Sequence, residues 1–299
     1  MLSESEASSA HDRMLLVRSL PSFAGVDEEA VLFLAERSRV KSFRAGDVVL
    51  EEGHPPSTVH IVIEGRLVST RAGERVTVVG RSRGVGLLAL LARDERGTRV
   101  VADEDTVTLA VSASDLLDAF EENFSFVRNS LRLTSRGLLD KRGKLPAPPN
   151  SGAVELGEYR EQPKTLVELL IEYSNRGGIF ANSNLPAVVE LLRHVAEVRL
   201  PAGTVLWRVG DPASYWVRID YGCIRCTSPD GVSVDVGHNF VLGIMDALGQ
   251  MPRSFEARAE TEVVLHWTDL DPFLVVLENH FELARELVSR FAKALLAPG

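Results

Sequence analysis

Two stretches of the chain pair a glycine with an arginine ten residues further on: Gly86 with Arg96, and Gly243 with Arg253. Each glycine opens a short apolar turn, V-G-L-L-A-L-L-A from Val85 and L-G-I-M-D-A-L-G from Leu242. These residue types do anion chemistry. Glycine lets the backbone approach a ligand, the first N–H groups of a helical turn point outward, and arginine presents a planar fork to phosphate oxygens. The second stretch is better equipped, because Pro252 precedes Arg253 and the hydroxyl of Ser254 follows it. Arg96 is flanked by Glu95, whose charge repels a phosphate, and by Gly97. The competing reading is a surface ion pair, Arg96 with Asp94 or Glu95 and Arg253 with Glu256. Asp246, three residues after Gly243, reads first as a helix-exposed carboxylate and second as a hydrogen-bond acceptor for a ligand.

The elements that would position these residues are short strands between Gly and Pro turns. Arg44-Ala45-Gly46-Asp47 is a turn, Val48-Val49-Leu50 a strand and Glu52-Gly53-His54-Pro55-Pro56 a second turn. Val59, Ile61 and Ile63 then alternate with His60 and Val62, which predicts a half-buried strand closed by Gly65. Helices precede this region, one through Met14-Leu15-Leu16-Val17 and one carrying Val31, Leu32, Leu34 and Ala35 behind a cap at Asp27. A longer apolar seam follows each barrel. It runs through Phe120, Phe124, Val127, Leu131, Thr134 and Leu138, and again through Leu277, Phe281, Ala284, Val288, Phe291 and Leu295. Its 4-3-4-3-4 spacing predicts one helix per copy, packed on its own barrel or paired with another helix.

The second half repeats the first at a constant shift of 157 positions. Phe23 returns as Phe180, Gly46 as Gly203, Gly53 as Gly210, Gly65 as Gly222, Gly80 as Gly237, Gly86 as Gly243, Arg96 as Arg253 and Phe124 as Phe281. A fixed shift across turn glycines identifies two copies of one fold. The predicted class is mainly β: two tandem jelly-roll barrels, each with flanking helices. The expected layout is an acidic, Ser-rich arm over 1–11, a first domain over 12–143, a Pro-rich extended linker over 144–163 and a second domain over 164–299, entered by a helix from about Thr165 to Tyr173.

Bulk properties narrow the function. A net charge of −9 argues against coating nucleic acid, and the absence of a roughly twenty-residue apolar run or signal peptide predicts a cytoplasmic protein off the membrane. The two cysteines, Cys223 and Cys226, read as ordinary strand residues in preference to a redox pair. Arg71, Arg75, Arg81 and Arg83 read as a solvated hairpin in preference to a basic contact patch. Seven histidines show no two on one strand at metal-ligand spacing, and no nucleophile elbow, P-loop or metal-helix motif appears, so no enzyme and no metal are expected.

The R-A-G-D and P-A-G-T turns, the E-G-H-P and V-G-D-P turns, the strands ending at Gly65 and Gly222 and the two Gly-to-Arg cassettes resemble tandem cyclic-nucleotide-binding domains, laid out as in the regulatory subunits of cyclic-AMP-dependent kinase. The family cassette reads F-G-E-L-A-L-L, then P-R-A-A. The resemblance implies that the arginine pairs with the cyclic phosphate and that the glutamate after the glycine accepts from the ribose 2′-hydroxyl. Here that position is Leu87 in one copy and Ile244 in the other. Neither side chain accepts a hydrogen bond, which costs a bound ribose about 1 to 3 kcal/mol, roughly ten- to a hundredfold in affinity. The chain ends at Gly299 without the helix-turn-helix of catabolite-activator-type transcription factors, and the arm lacks an R-R-x-S inhibitor sequence. The expectation is a non-enzymatic regulatory protein that senses a cyclic nucleotide or another small anion. Its alternative is a pseudo-receptor that scaffolds a protein partner or homodimerises through the C-terminal helices.

Overall fold

The computed structural model describes residues 9–20, 23–71, 74–94, 97–143, 145–147, 154–174 and 184–297. The first copy begins with α1 (Ala10–Ser19) and α2 (Glu28–Arg37). Then follow β1 (Arg39–Phe43), β2 (Val48–Leu50), β3 (Thr58–Glu64), β4 (Leu67–Arg71), β5 (Glu74–Val79), β6 (Gly84–Val85), α3 (Leu87–Leu91), β7 (Arg99–Ala102) and β8 (Thr106–Ser112). It closes with α4 (Ala113–Glu122) and α5 (Phe124–Arg142). The second copy repeats the order: α6 (Leu166–Ser174), α7 (Leu185–Leu192), β9 (Val195–Leu200), β10 (Val205–Trp207), β11 (Tyr215–Tyr221), β12 (Ile224–Thr227), β13 (Ser233–Val236), β14 (Val241–Leu242), α8 (Ile244–Gly249), β15 (Glu256–Ala259), β16 (Val263–Asp269), α9 (Leu270–Asn279) and α10 (Phe281–Leu296). Each copy is a jelly roll of two four-stranded sheets, ordered β1-β8-β3-β6 and β2-β7-β4-β5, then β14-β11-β16-β9 and β10-β15-β12-β13.

The chain divides into two compact units, Met1–Ser130 with Val288–Pro298, and Leu131–Leu287. Among the described residues, no helix is long and apolar enough to cross a membrane.

Repeated turn glycines have a steric cause. Gly65 and Gly222 adopt φ of 85° and 93°, and a Cβ on Gly65 would sit 2.5 Å from the Asp105 carbonyl oxygen. A Cβ on Gly222 would collide with the matching carbonyl of Glu262.

Several expectations need correction. The half-buried strand is buried on both faces: Val59 through Ile63 are all inside. Ile61, Ile63 and Leu109 pack outward against Leu16, Val17, Leu20 and Val31 of the helical cover. Val62 faces the barrel interior with Leu67, Val79 and Val100. The single seam helix is two helices in each copy, because Asn123 and His280 leave helical geometry (φ −133° and −128°) and the helix restarts after them. Seam residues Val127, Leu131, Leu138, Ala284, Val288 and Phe291 are buried within one chain. The first helix starts at Ala10, capped by the Ser9 side chain on the Asp12 N–H, inside the expected arm. Phe180 and linker residues 144 and 148–153 lie outside the described residues. The rest of the linker is docked on the second barrel, with the Glu155 and Leu156 carbonyls accepting from the N–H groups of His238 and Gly222. Cys223 and Cys226 are free and buried on the edge and interior of β12, where burial raises both thiol pKa values.

In the second copy, a buried ionic network holds the helical cover to the barrel. Lys164 Nζ lies 2.6 Å from Asp220 and also pairs with Glu172. Arg218 contacts Glu172 at 3.3 Å, donates to Nδ1 of His266 at 3.2 Å and to Asn239, and lies 4.9 Å from the Tyr173 ring centre. Since Nδ1 of His266 accepts, the ring is neutral with its proton on Nε2, and burial lowers its pKa.

Candidate functional site

Gly243 caps α8 at φ 79°, as Gly86 caps α3 at φ 92°. A Cβ on Gly86 would lie 3.0 Å from the Thr58 carbonyl oxygen. At Gly243 the obstacle is different: a Cβ would collide with Nη1 of Arg253. The glycine therefore makes room for the guanidinium of its own cassette.

Arg253 is 1% exposed. Its Nη1 donates to the Gly243 carbonyl at 3.1 Å and Nη2 to the Tyr215 carbonyl at 2.6 Å. The guanidinium carbon sits 4.1 Å from the Trp207 ring centre and 4.6 Å from that of Tyr215. Tyr215 is itself stacked on Trp267, with ring centres 3.6 Å apart. Backbone hydrogen bonds tie the Arg253 N–H to the Asp211 carbonyl and the Gly210 N–H to the Arg253 carbonyl, so the V-G-D-P turn fixes the arginine's position. The Nε of Arg253 has no hydrogen-bond partner among the described residues. Burial lowers the arginine's pKa, and Tyr215 and the charge of Asp246 oppose that shift.

The surface ion pair with Glu256 does not form. Arg253 is inside, and Glu256 pairs with Arg258 at 3.0 Å. Asp246 is likewise not helix-exposed: α8 is enclosed on nearly all sides, and Asp246 is 2% exposed. Burial raises its pKa, and Ser254 and the charge of Arg253 oppose that shift. Its carboxylate oxygen Oδ1 has no partner among the described residues.

Ile244 is buried and helps line a cavity of about 100 Å³. Its other walls include Leu138, Leu145, Phe240, Leu242, Phe255 and Asp246. The structure thus brings Gly243, Arg253, Ser254, Asp246 and Ile244 together. The first cassette is different. Gly86 and Leu87 are in the equivalent places, while Arg96 and Glu95 lie outside the described residues. Asp94, one of the carboxylates considered for Arg96, pairs with Arg71 at 2.6 Å.

Sequence reasoning missed the aromatic faces that hold Arg253. A signal was present: all three tryptophans, Trp207, Trp216 and Trp267, fall in the second copy, opposite Leu50, Val59 and Ala110 of the first. Trp207 and Tyr215 lie on strands, far in sequence from the arginine, and only the barrel brings them to it.

The family model for the cyclic nucleotide-binding domain matches residues 40–123 and 197–280, more than half the chain and at the same 157-residue shift. The chain belongs to the cyclic nucleotide-binding domain family. Relatives include the potassium/sodium hyperpolarization-activated cyclic nucleotide-gated channel 4 of Homo sapiens, 26% identical over 129 residues covering 43% of this chain and 11% of the channel. Channel 3 of Mus musculus is 28% identical over 149 residues, 46% of this chain and 19% of the channel. This chain therefore spans less than a fifth of the length of these relatives. Among solved structures, the regulatory domain of Toxoplasma gondii PKA with cAMP is 14% identical with a TM-score of 0.37, covering 95% of this chain and 96% of that one. The regulatory subunit of a cAMP-independent protein kinase A from Trypanosoma brucei is 15% identical with a TM-score of 0.37, covering 92% and 94%.

Proposed function

We propose that this chain is a non-enzymatic regulatory protein whose two cyclic-nucleotide-binding domains have weak or no recognition of cyclic AMP in the usual manner. One observation carries the reading. At the second cassette the ribose-accepting position is the buried, apolar Ile244, and Arg253 already donates to two backbone carbonyls between two aromatic faces. A cyclic nucleotide entering there gains no acceptor for its hydroxyl and must compete for a guanidinium that is already engaged. The ligand that fits this reading is a divergent nucleotide or another small molecule. Without such a ligand, the domains act as a scaffold for a protein partner or a second copy.

The test is the thermal stability of the whole chain with cyclic AMP, cyclic GMP and cyclic dinucleotides at millimolar concentration, beside Arg253→Ala. At a hundred times Kd a ligand stabilises its fold by about 2.7 kcal/mol, which a melting curve resolves. The expected result is no shift with cyclic AMP. A shift with one of the other ligands, lost in Arg253→Ala, establishes a divergent sensor. Silence with all of them supports the scaffold, and a large Arg253-dependent shift with cyclic AMP overturns the reading.

A further inference from the structure

The cavity of about 100 Å³ beside the second cassette has walls of its own chemistry, and Arg253 is not one of them. Every described residue around it belongs to the second compact unit. Ile244 and Asp246 of α8 form one wall, and Phe240, Leu242 and Phe255 of the barrel another. A third comes from the end of α5 and the segment after it, with Leu138 and Leu145. That wall is fixed at two points: Arg136 Nε donates to the Gly249 carbonyl at 2.6 Å, and Leu145 packs on the apolar core of the barrel. Gly143 and Ala147, also on the cavity, are exposed and leave it a rim open to solvent.

The described walls carry no lysine, arginine or histidine, so no cationic side chain there pairs with a phosphate. The space is of the same order as the roughly 150 Å³ of apolar cavity that holds benzene, and well below the roughly 300 Å³ at which pockets for drug-sized ligands begin. Asp246 is the one ionisable side chain among the described walls; it is 2% exposed, and its Oδ1 meets no hydrogen-bond partner among the described residues. A buried acceptor in that state favours a ligand that brings a donor with it. The first copy does not repeat this chemistry: Arg83, Ala89 and Thr98 stand at the positions of Phe240, Asp246 and Phe255.

We propose that this cavity binds a small, uncharged ring molecule carrying one hydroxyl, of the phenol class, with the ring among Leu145, Phe240 and Phe255 and the hydroxyl donating to Asp246. This deepens, and rests on, the reading that the second domain takes a small molecule other than cyclic AMP.

Calorimetry on the full chain compares phenol with toluene, rings of equal heavy-atom count that differ in the donor. The proteins are the native chain, Asp246→Ala and Leu145→Arg, with circular dichroism to establish folding; cyclic AMP is titrated in parallel into the native chain and Arg253→Ala. The native chain should bind phenol saturably and about tenfold tighter than toluene, the worth of one hydrogen bond. Asp246→Ala should bring phenol down to the level of toluene. Leu145→Arg, which places a long charged side chain in the wall, should abolish binding of both, and it decides the location of the site should Asp246→Ala unfold. The proposal is overturned if the native chain does not bind phenol saturably, if it binds the two rings equally, if the preference survives Asp246→Ala, or if phenol binding is untouched by Leu145→Arg. Arg253-dependent binding of cyclic AMP overturns the weakened-recognition reading, whereas silence with phenol and cyclic AMP alike overturns only the phenol site.

Discussion

The outer face of each barrel, where the helices lie, is built from opposite chemistry in the two copies. In the first, Leu16, Ile61, Ile63 and Leu109 form an apolar cluster. At the matching positions the second has Tyr173, Arg218, Asp220 and His266, tied to Lys164 and Glu172. The interior is exchanged in the other direction. His60 of the first copy points inward and bonds Thr108 at 3.1 Å, where the second has Val217 and Leu265 in its apolar core. Both pairs of strands keep the same register, Ile61 opposite Leu109 and Arg218 opposite His266. A strand alternates faces with period two, so each face accepts polar or apolar residues independently, provided every buried polar group finds a partner. Fold and face chemistry are separable.

The largest effect should come from breaking the network at one member. Asp220→Ala leaves Lys164 buried with half its partners and should cost about 3 to 5 kcal/mol. Replacing the set by apolar residues in the first copy's manner (Lys164→Met, Glu172→Leu, Tyr173→Leu, Arg218→Ile, Asp220→Ile, His266→Leu) should be neutral or stabilising by about 1 to 4 kcal/mol. Urea titration followed by tryptophan fluorescence reads this unit selectively, since all three tryptophans are in it. A collective variant as unstable as Asp220→Ala would mean that the ions carry the packing of the second copy.

The interior histidine of the first copy gives the next effect. Burial, with help from the charge of Lys41, pushes His60 down to about 4. An unfolded histidine takes up its proton near pH 6.5, so between about pH 6.5 and 4 the unfolded chain binds more protons and stability falls as pH falls. Each tenfold difference in proton affinity between the folded and unfolded chain is worth about 1.36 kcal/mol, so the loss approaches about 3 kcal/mol by pH 4. Hydrogen exchange on β3 across that range should show the loss, and His60→Gln should flatten it; an unchanged slope would assign the acid sensitivity elsewhere.

A control sharpens the contrast between buried and exposed ions. Arg225 on β12 pairs with Asp235 at 2.8 Å and Glu260 at 2.9 Å, but its side chain is 44% exposed. Arg225→Ala should leave the urea midpoint nearly unchanged, despite as many ionic partners as Lys164. A larger loss would show that the number of partners outweighs burial.

Much of the fold was legible because it is written locally. The turn glycines, the 157-residue shift and the alternation of β3 follow from backbone angles and side-chain period over a few residues. The break at Asn123 was not legible, since apolar spacing runs through it unchanged and only the extended backbone there shows it. At the candidate site, spacing singled out Gly243 and Arg253, and the family resemblance singled out Ile244. Whether Arg253 was exposed or buried was not, because Trp207 and Tyr215, which enclose it, sit on strands 46 and 38 residues earlier.

The amino-acid sequence by itself determined two copies of one barrel, their turns and the apolar residues Leu87 and Ile244 that follow the cassette glycines, since each of these depends on residue type within a short span. The tertiary structure alone decided what each buried charge meets. Lys164 finds Asp220 across 56 positions, and Arg253 finds the Tyr215 carbonyl across 38. A charge taken out of water is stabilised only by donors and acceptors at hydrogen-bond distance, and folding, not spacing along the chain, sets that distance.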